Sequence, residues 1–237
     1  MATGIAEISS DVFAVITPNT VWGVDLNQHR NHGSDNNVVE PEKIATIHQA
    51  GNINGMALLN QKTGMVVISD SQLGLIWRLD TTTGEYTVIL KDPTMSANRK
   101  YGPLLGINGL RVHNGYIYYV NTPNRLYCRI PINPITGQAI GPAEIISKGA
   151  LADDLAVSEK GVGYLAGLTD SVVTRVFEDG EMEVVANETI LHAATSAAFG
   201  WLGDEKVLFV TTGGDAEHAG NNTDKRGGNV LALGIGY

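Results

Sequence analysis

Thr3-Gly4-Ile5-Ala6-Glu7-Ile8, Asn54-Gly55-Met56-Ala57-Leu58-Leu59, Asn108-Gly109-Leu110-Arg111-Val112-His113, Asp153-Asp154-Leu155-Ala156-Val157-Ser158 and Thr195-Ser196-Ala197-Ala198-Phe199-Gly200 are five spellings of one phrase. Each opens with a small or polar residue, passes a second small or turn-forming one, and continues as a short apolar segment. A β-rich run follows every copy within about ten residues. The second positions, 4, 55, 109, 154 and 196, are separated by 51, 54, 45 and 42 residues. A near-constant period in this range marks a repeat architecture. The expected fold is therefore all-β, a β-propeller of four-stranded antiparallel blades with 1–237 as a single domain.

Working outward from the phrase, the second copy is the cleanest, with strands expected at 56–59, 65–69, 75–80 and 86–91 between Lys-Thr-Gly, Ser-Gln-Leu-Gly and Thr-Thr-Thr-Gly turns. The first reads 4–8, 12–17, 20–26 and 43–48, with 27–41 as an exposed loop. The third reads 110–113, 116–121, 125–130 and 143–147, and the fourth 155–158, 163–167, 172–178 and 181–186. The fifth gives only 197–199, 207–212 and 230–234 before Tyr237. Propellers often complete the last blade with a strand from the opposite terminus, and Met1 stands immediately before the first strand. Two explanations fit, a five-bladed ring with a weak seam or a blade's worth of chain missing at the N-terminal side. The second is the expectation, and the open edge it leaves would invite oligomerisation.

Hydrophobic residues at 43% and charged residues at 17% supply a core and exclude a disordered chain. Twenty-eight glycines supply the turns that many short strands need. A net charge of −9 excludes a phosphate-binding surface, so no nucleic-acid partner is expected. No stretch reaches the roughly 18 apolar residues of a membrane span, and no charged-then-apolar leader precedes Ala2, so neither a membrane partner nor a signal peptide is expected. Localisation stays open, because the acceptor patterns at Asn187 and Asn221 matter only in a secreted chain. Cys128, the single cysteine, reads as a packed thiol.

The phrases Gly4-Ile-Ala-Glu-Ile with Asp11-Val-Phe-Ala-Val, Ile107-Asn-Gly-Leu with Tyr116-Ile-Tyr-Tyr-Val-Asn-Thr, and Thr195-Ser-Ala-Ala-Phe-Gly with Val207-Leu-Phe-Val-Thr-Thr-Gly-Gly resemble the gluconolactonase/regucalcin-like six-bladed propellers. They are most similar to the fungal natural-product branch of that superfamily. The resemblance spans the chain and implies a six-bladed parent whose first blade is lacking here. It also implies two activities, since that branch includes hetero-Diels–Alderases joining a tropolone-derived quinone methide to a terpene alkene, whereas other members are metal-dependent lactonases.

Residues at the start of each inner strand of a propeller converge on one mouth of the channel. Asn54, Asn108 and Asp153 hold equivalent places, and Thr3 and Thr195 complete the ring. In the lactonases an Asn, an Asn and an Asp at such positions, with a Glu from the first blade, bind a divalent cation; the match here is three of four. Oxygen ligands of this kind suit Ca²⁺, Mg²⁺ or Mn²⁺. Turn chemistry is the competing reading for both Asn-Gly pairs, and capping for Asp153. Two segments could cover the mouth, 92–106 with Met95, Tyr101, Leu104 and Leu105, and 213–228 with Asp215, His218 and Arg226. His192 lies in the connector before the fifth copy on the mouth side. His113 ends its strand towards the other face and reads as structural.

No Gly-x-Ser-x-Gly elbow, phosphate loop or dinucleotide fingerprint occurs. Three functions remain. The first is a cofactor-free pericyclase on a small-molecule substrate, with Asn54, Asn108, Asp153 and Tyr101 as catalytic candidates and Thr195, His192, Leu104, Leu105 and Met95 as substrate-binding ones. The second is a lactonase using Asn54, Asn108 and Asp153 as metal ligands. The third is a non-catalytic propeller presenting a face to another protein.

Overall fold

A computed structural model describes residues 2–28, 39–100, 102–214 and 227–235. The first sheet is β1 (Ile5–Ser9), β2 (Val12–Thr17), β3 (Thr20–Asp25) and β4 (Glu42–Thr46); the second is β5 (Ile53–Asn60), β6 (Met65–Asp70), β7 (Leu75–Asp80) and β8 (Tyr86–Lys91). The third is β9 (Ile107–His113), β10 (Tyr116–Asn121), β11 (Leu126–Pro131) and β12 (Glu144–Lys148). The fourth is β13 (Leu155–Val157), β14 (Gly163–Ala166), β15 (Val172–Val176) and β16 (Met182–Asn187). The last comprises β17 (Ala194–Leu202), β18 (Glu205–Thr212) and β19 (Val230–Leu233). Within each sheet the strands lie in sequence order, and every neighbouring pair is antiparallel. The expected loop at 27–41 falls largely outside the described residues.

The inner strands pack in succession, β1 on β5, β5 on β9, β9 on β13 and β13 on β17. Four apolar layers fill the spaces between neighbouring blades. Ala14, Ile16 and Val21 of the first blade meet Met56, Ile68 and Leu79 of the second. Leu59, Val67 and Ile76 meet Leu110, Ile117 and Tyr119 of the third. Tyr118 and Tyr127 then meet Leu155 and Leu165, and Tyr164 and Ala166 meet Leu208 and Val210. No comparable packing joins β17 to β1 among the described residues, so the blades form an arc. At its ends Ile5 and Val230 are 62% and 70% exposed.

The inner strands β5 and β9 are longer than their apolar runs suggest, because Asn54-Gly55 and Asn108-Gly109 lie inside the strands and make no turn. These glycines serve close approach. A Cβ on Gly4 would lie 2.2 Å from the Asn54 carbonyl oxygen, one on Gly55 2.8 Å from that of Asn108, and one on Gly109 2.0 Å from Asp154 Oδ1. Real Cβ contacts are not that short, so the second position of the phrase must be glycine wherever the next inner strand crowds it. The recurring spelling is thus a record of how tightly the strands crowd the channel.

Candidate active site

The first position of the phrase places polar side chains at the starts of successive inner strands, with unequal surroundings. Asn108 is buried and spends its amide hydrogens on Thr122 Oγ1 at 2.9 Å and Asp153 Oδ1 at 2.5 Å. Thr122 in turn donates to the Ala152 carbonyl at 2.7 Å. The Gly109 N–H donates to the Asp153 carbonyl at 2.9 Å, which ties the two blades together beneath the pair. Asn54 is half-buried and its side chain makes no hydrogen bond among the described residues. Thr3 and Thr195 turn to structural partners, the Ile53 carbonyl at 3.2 Å and Thr211 Oγ1 at 3.0 Å.

The adjacent carboxylates Asp153 and Asp154 have opposite fates. Asp154 receives a two-pronged hydrogen bond from Arg111, 3.0 Å to Oδ1 and 2.7 Å to Oδ2, and a third from Ser196 Oγ at 2.6 Å. Arg111 also donates to the Leu110 and Ala197 carbonyls, so one guanidinium clamps three successive blades. The Asp153 carboxyl accepts from Asn108 alone among the described residues. Burial, and then the charge of Asp154, push its carboxyl up to about 7, against a smaller opposing effect of the Asn108 hydrogen bond. Near neutral pH it therefore carries a proton for a substantial fraction of the time. Asp153 is thereby a candidate acid beside the ion pair of Asp154 and Arg111.

Arg111, Thr122 and Ser196 were not singled out from the sequence. The available signal was a charged residue inside an apolar phrase, with a carboxylate at the second position of the next copy and a hydroxyl in the copy after. Arg111→Met is expected to cost about 2–3 kcal/mol in chemical denaturation, because it strands the Asp154 charge in a half-buried place. Asp154→Asn in the same chain should restore most of that loss. A cost under about 0.5 kcal/mol, typical of surface changes, would show the clamp to be ornamental.

Other candidates lie elsewhere. Met95 is fully buried in the layer between the second and third blades, a core anchor with no access to a substrate. It fills that layer because Asp92 accepts from the Thr94 N–H at 2.9 Å and starts a short helical turn, while the Asn121 amide holds the Thr94 and Ser96 carbonyls at 2.8 and 3.0 Å. Leu104 and Leu105 are half-buried, and Leu105 pairs with Asn98, so the 92–106 segment is pinned at several points. Tyr101, Asp215, His218 and Arg226 lie outside the described residues. His192 is exposed on the rim, its Nδ1 3.3 Å from Ser171 Oγ. Cys128 is buried, and that burial pushes its thiol up to about 12.

The cation site implied by the lactonase resemblance can be tested on these donors. The Asn108 amide points a hydrogen at the Asp153 carboxyl, where a cation site would have both oxygens converging on the ion. Among the described residues no group of three His, Cys, Asp or Glu side chains comes together. In this arrangement the amide nitrogen of Asn108, and not its oxygen, faces the Asp153 carboxyl.

No protein-family model matches the chain. Two relatives carry the name "Putative hetero-Diels-Alderase". The one from Sarocladium schorii, asR5, is 26% identical over 199 residues, covering 73% of this chain and 48% of the relative. That from a Phoma species is 26% identical over 204 residues, covering 75% and 57%. The chain thus spans about half the length of the curated relatives it matches. Among solved structures, the calcium-binding protein regucalcin of Agrobacterium tumefaciens superposes with a TM-score of 0.65 at 18% identity, over 99% of this chain and 76% of the other. A luciferin-regenerating enzyme gives 0.68 at 14%, over 100% and 78%. The chain is a β-propeller that shares its fold with these two structures and is similar in sequence to the two relatives named as hetero-Diels–Alderases.

Proposed function

We propose that the chain acts at the channel mouth as a cofactor-free cyclase of the hetero-Diels–Alder type. The observation that carries this reading is the sequence similarity to two relatives bearing that name. The geometry supplies a mechanism. Asp153, held by Asn108 through one oxygen, presents the other to the carbonyl of a heterodiene and donates its proton as a hydrogen bond. Withdrawal of electron density through that bond lowers the barrier to attack on an alkene, and a fixed donor reorganises nothing as the reaction proceeds. Two σ bonds form at the expense of π bonds, and the proton stays on Asp153. Holding both reactants face to face contributes the rest, as a bimolecular step becomes effectively unimolecular. Asp154, neutralised by Arg111, keeps the strand start in place and takes no part in the chemistry.

Turnover of a quinone methide and an alkene, corrected for the uncatalysed rate, is expected to be unchanged by a chelator. The metal-dependent lactonase is the second reading, favoured by the kinship in fold with calcium-binding regucalcin. It requires chelation to abolish activity and to lower the melting temperature, because an ion held only by the folded chain stabilises it. Chelator-sensitive lactone hydrolysis with no cycloaddition would replace the first reading with the second.

A further inference from the structure

Residues directly opposite one another in antiparallel strands share a face of the sheet. The third and fourth positions of each phrase therefore begin two rows of side chains on opposite faces of the blade. In the second blade the third-position row is Met56, Ile68 and Trp77, buried against the first blade. Its counterparts in the later blades, which include Tyr119, Leu165 and Val210, likewise pack towards the blade before. Fourth-position rows pack towards the blade after, through Ala14, Val67, Tyr118 and Tyr164 in turn. Four times over, the chain joins a fourth-position row to a third-position row.

Two rows are left over, one at each end of the arc. The third-position row of the first blade is Ile5, Val15 and Trp22. Trp22 holds the place that Trp77 holds in the second blade, yet Ile5 is 62% exposed where its counterpart Met56 is 2% exposed, and Val15 and Trp22 are only half-buried. The Trp22 Nε1–H already donates to Thr17 Oγ1 at 2.8 Å, so covering the ring strands no donor. The fourth-position row of the fifth blade is Ala198, Phe209 and Ala232, with both alanines exposed. None of these six side chains is charged, and Lys43, next across from Trp22 on the outer strand, is exposed at the rim. One leftover row is of the kind that faces backwards in every other blade, and the other is of the kind that faces forwards. They are the two halves of an interface that the molecule already makes four times.

We propose that these two rows join copies of the chain head to tail, the fifth blade of one copy seated on the first blade of the next. The occupant of each row is a second copy because the complementary row stands on the chain itself. The contact continues the blade-to-blade packing of the arc across a molecular boundary. It buries apolar surface without desolvating a charge in either row, which offsets the repulsion between molecules of net charge −9. Because the two rows differ, the contact is heterologous. A pair of copies then still offers one open row at each end, and association continues beyond two.

Sedimentation velocity of the full 237-residue chain across a dilution series reads the association directly. The expected result is a mass that climbs with concentration through the dimer to larger species. Ile5→Arg blocks the first-blade row and Ala198→Arg the fifth-blade row. Each variant alone is expected to stay monomeric with an unchanged melt, since both native side chains are exposed. Mixed in equal amounts, the two should form a one-to-one pair and nothing larger, because the mixture holds one intact row of each kind. Ala232→Arg repeats the second block from β19 if Ala198→Arg lowers the melt. A native chain that is monomeric at every concentration would overturn the proposal and leave the rows to a partner of other sequence. Self-association of either single variant would overturn it as like-with-like pairing, and so would a mixture that stays monomeric.

Discussion

Replacing Asp153 by Ala is expected to lower the cycloaddition rate about 10²–10³-fold, the usual consequence of deleting one preorganised donor. Asp153→Asn makes the sharper experiment. An amide keeps the size and the neutral donor but can neither ionise nor attack, so most of the rate should survive. A dead Asn variant would mean that Asp153 works as a base, a nucleophile or a ligand, and the mechanism above would fall. The pH dependence follows from the same group. Its carboxyl is raised from 3.8 to about 7, so the donor form is lost as pH rises through about 7 and the native rate should fall there, while the Asn variant stays flat. Stability carries the matching sign. A raised acid binds more protons folded than unfolded, so stability should decline between about pH 4 and 7, by on the order of 4 kcal/mol if the whole shift is expressed, and level off above. Denaturation midpoints of the native chain and Asp153→Asn across that window would measure it.

The second large effect is predicted for Gly109→Ala. The added methyl carbon would sit 2.0 Å from Asp154 Oδ1 and 2.5 Å from Asp154 Cα. The first neighbour is the carboxylate clamped by Arg111 and Ser196, and the second is backbone, so neither can yield without breaking the three-blade clamp. A cost of about 3 kcal/mol or more is expected, at the upper end of overpacking, with partial loss of soluble protein. Gly23→Ala is the control. Its nearest neighbour would be Ile44 Cδ1 at 3.5 Å, an ordinary contact, so the change should be close to neutral. Equal melts for the two variants would show that the inner strands have slack.

Much of this architecture was legible from one phrase. The strands β2, β7, β8 and β10 start and stop where turn residues and alternation place them, because local chemistry alone decides those ends. The inner strands β5 and β9 were read too short, since Asn-Gly carries a strong turn signal and only the neighbouring blade overrides it. At the candidate site, the meeting of Asn108 and Asp153 follows from their equivalent positions in successive copies. The split between Asp153 and Asp154 was not, because it depends on an arginine in the preceding copy and a serine in the next. Met95 misled for a related reason. A methionine in a long loop looks accessible until Asn121, one strand away, is seen holding the carbonyls on either side of it.

Every sheet is finished within one uninterrupted stretch of chain, and every apolar layer lies between consecutive sheets. A nascent chain leaving the ribosome can therefore complete residues 5–46 before the next blade exists and add each later blade to a preformed face. Contacts within a blade close short loops, which favours rapid folding of each unit. The layers between blades behave as nearest-neighbour couplings, so damage at a middle blade should divide the arc into two cooperative pieces, whereas damage at an end should shorten it by one.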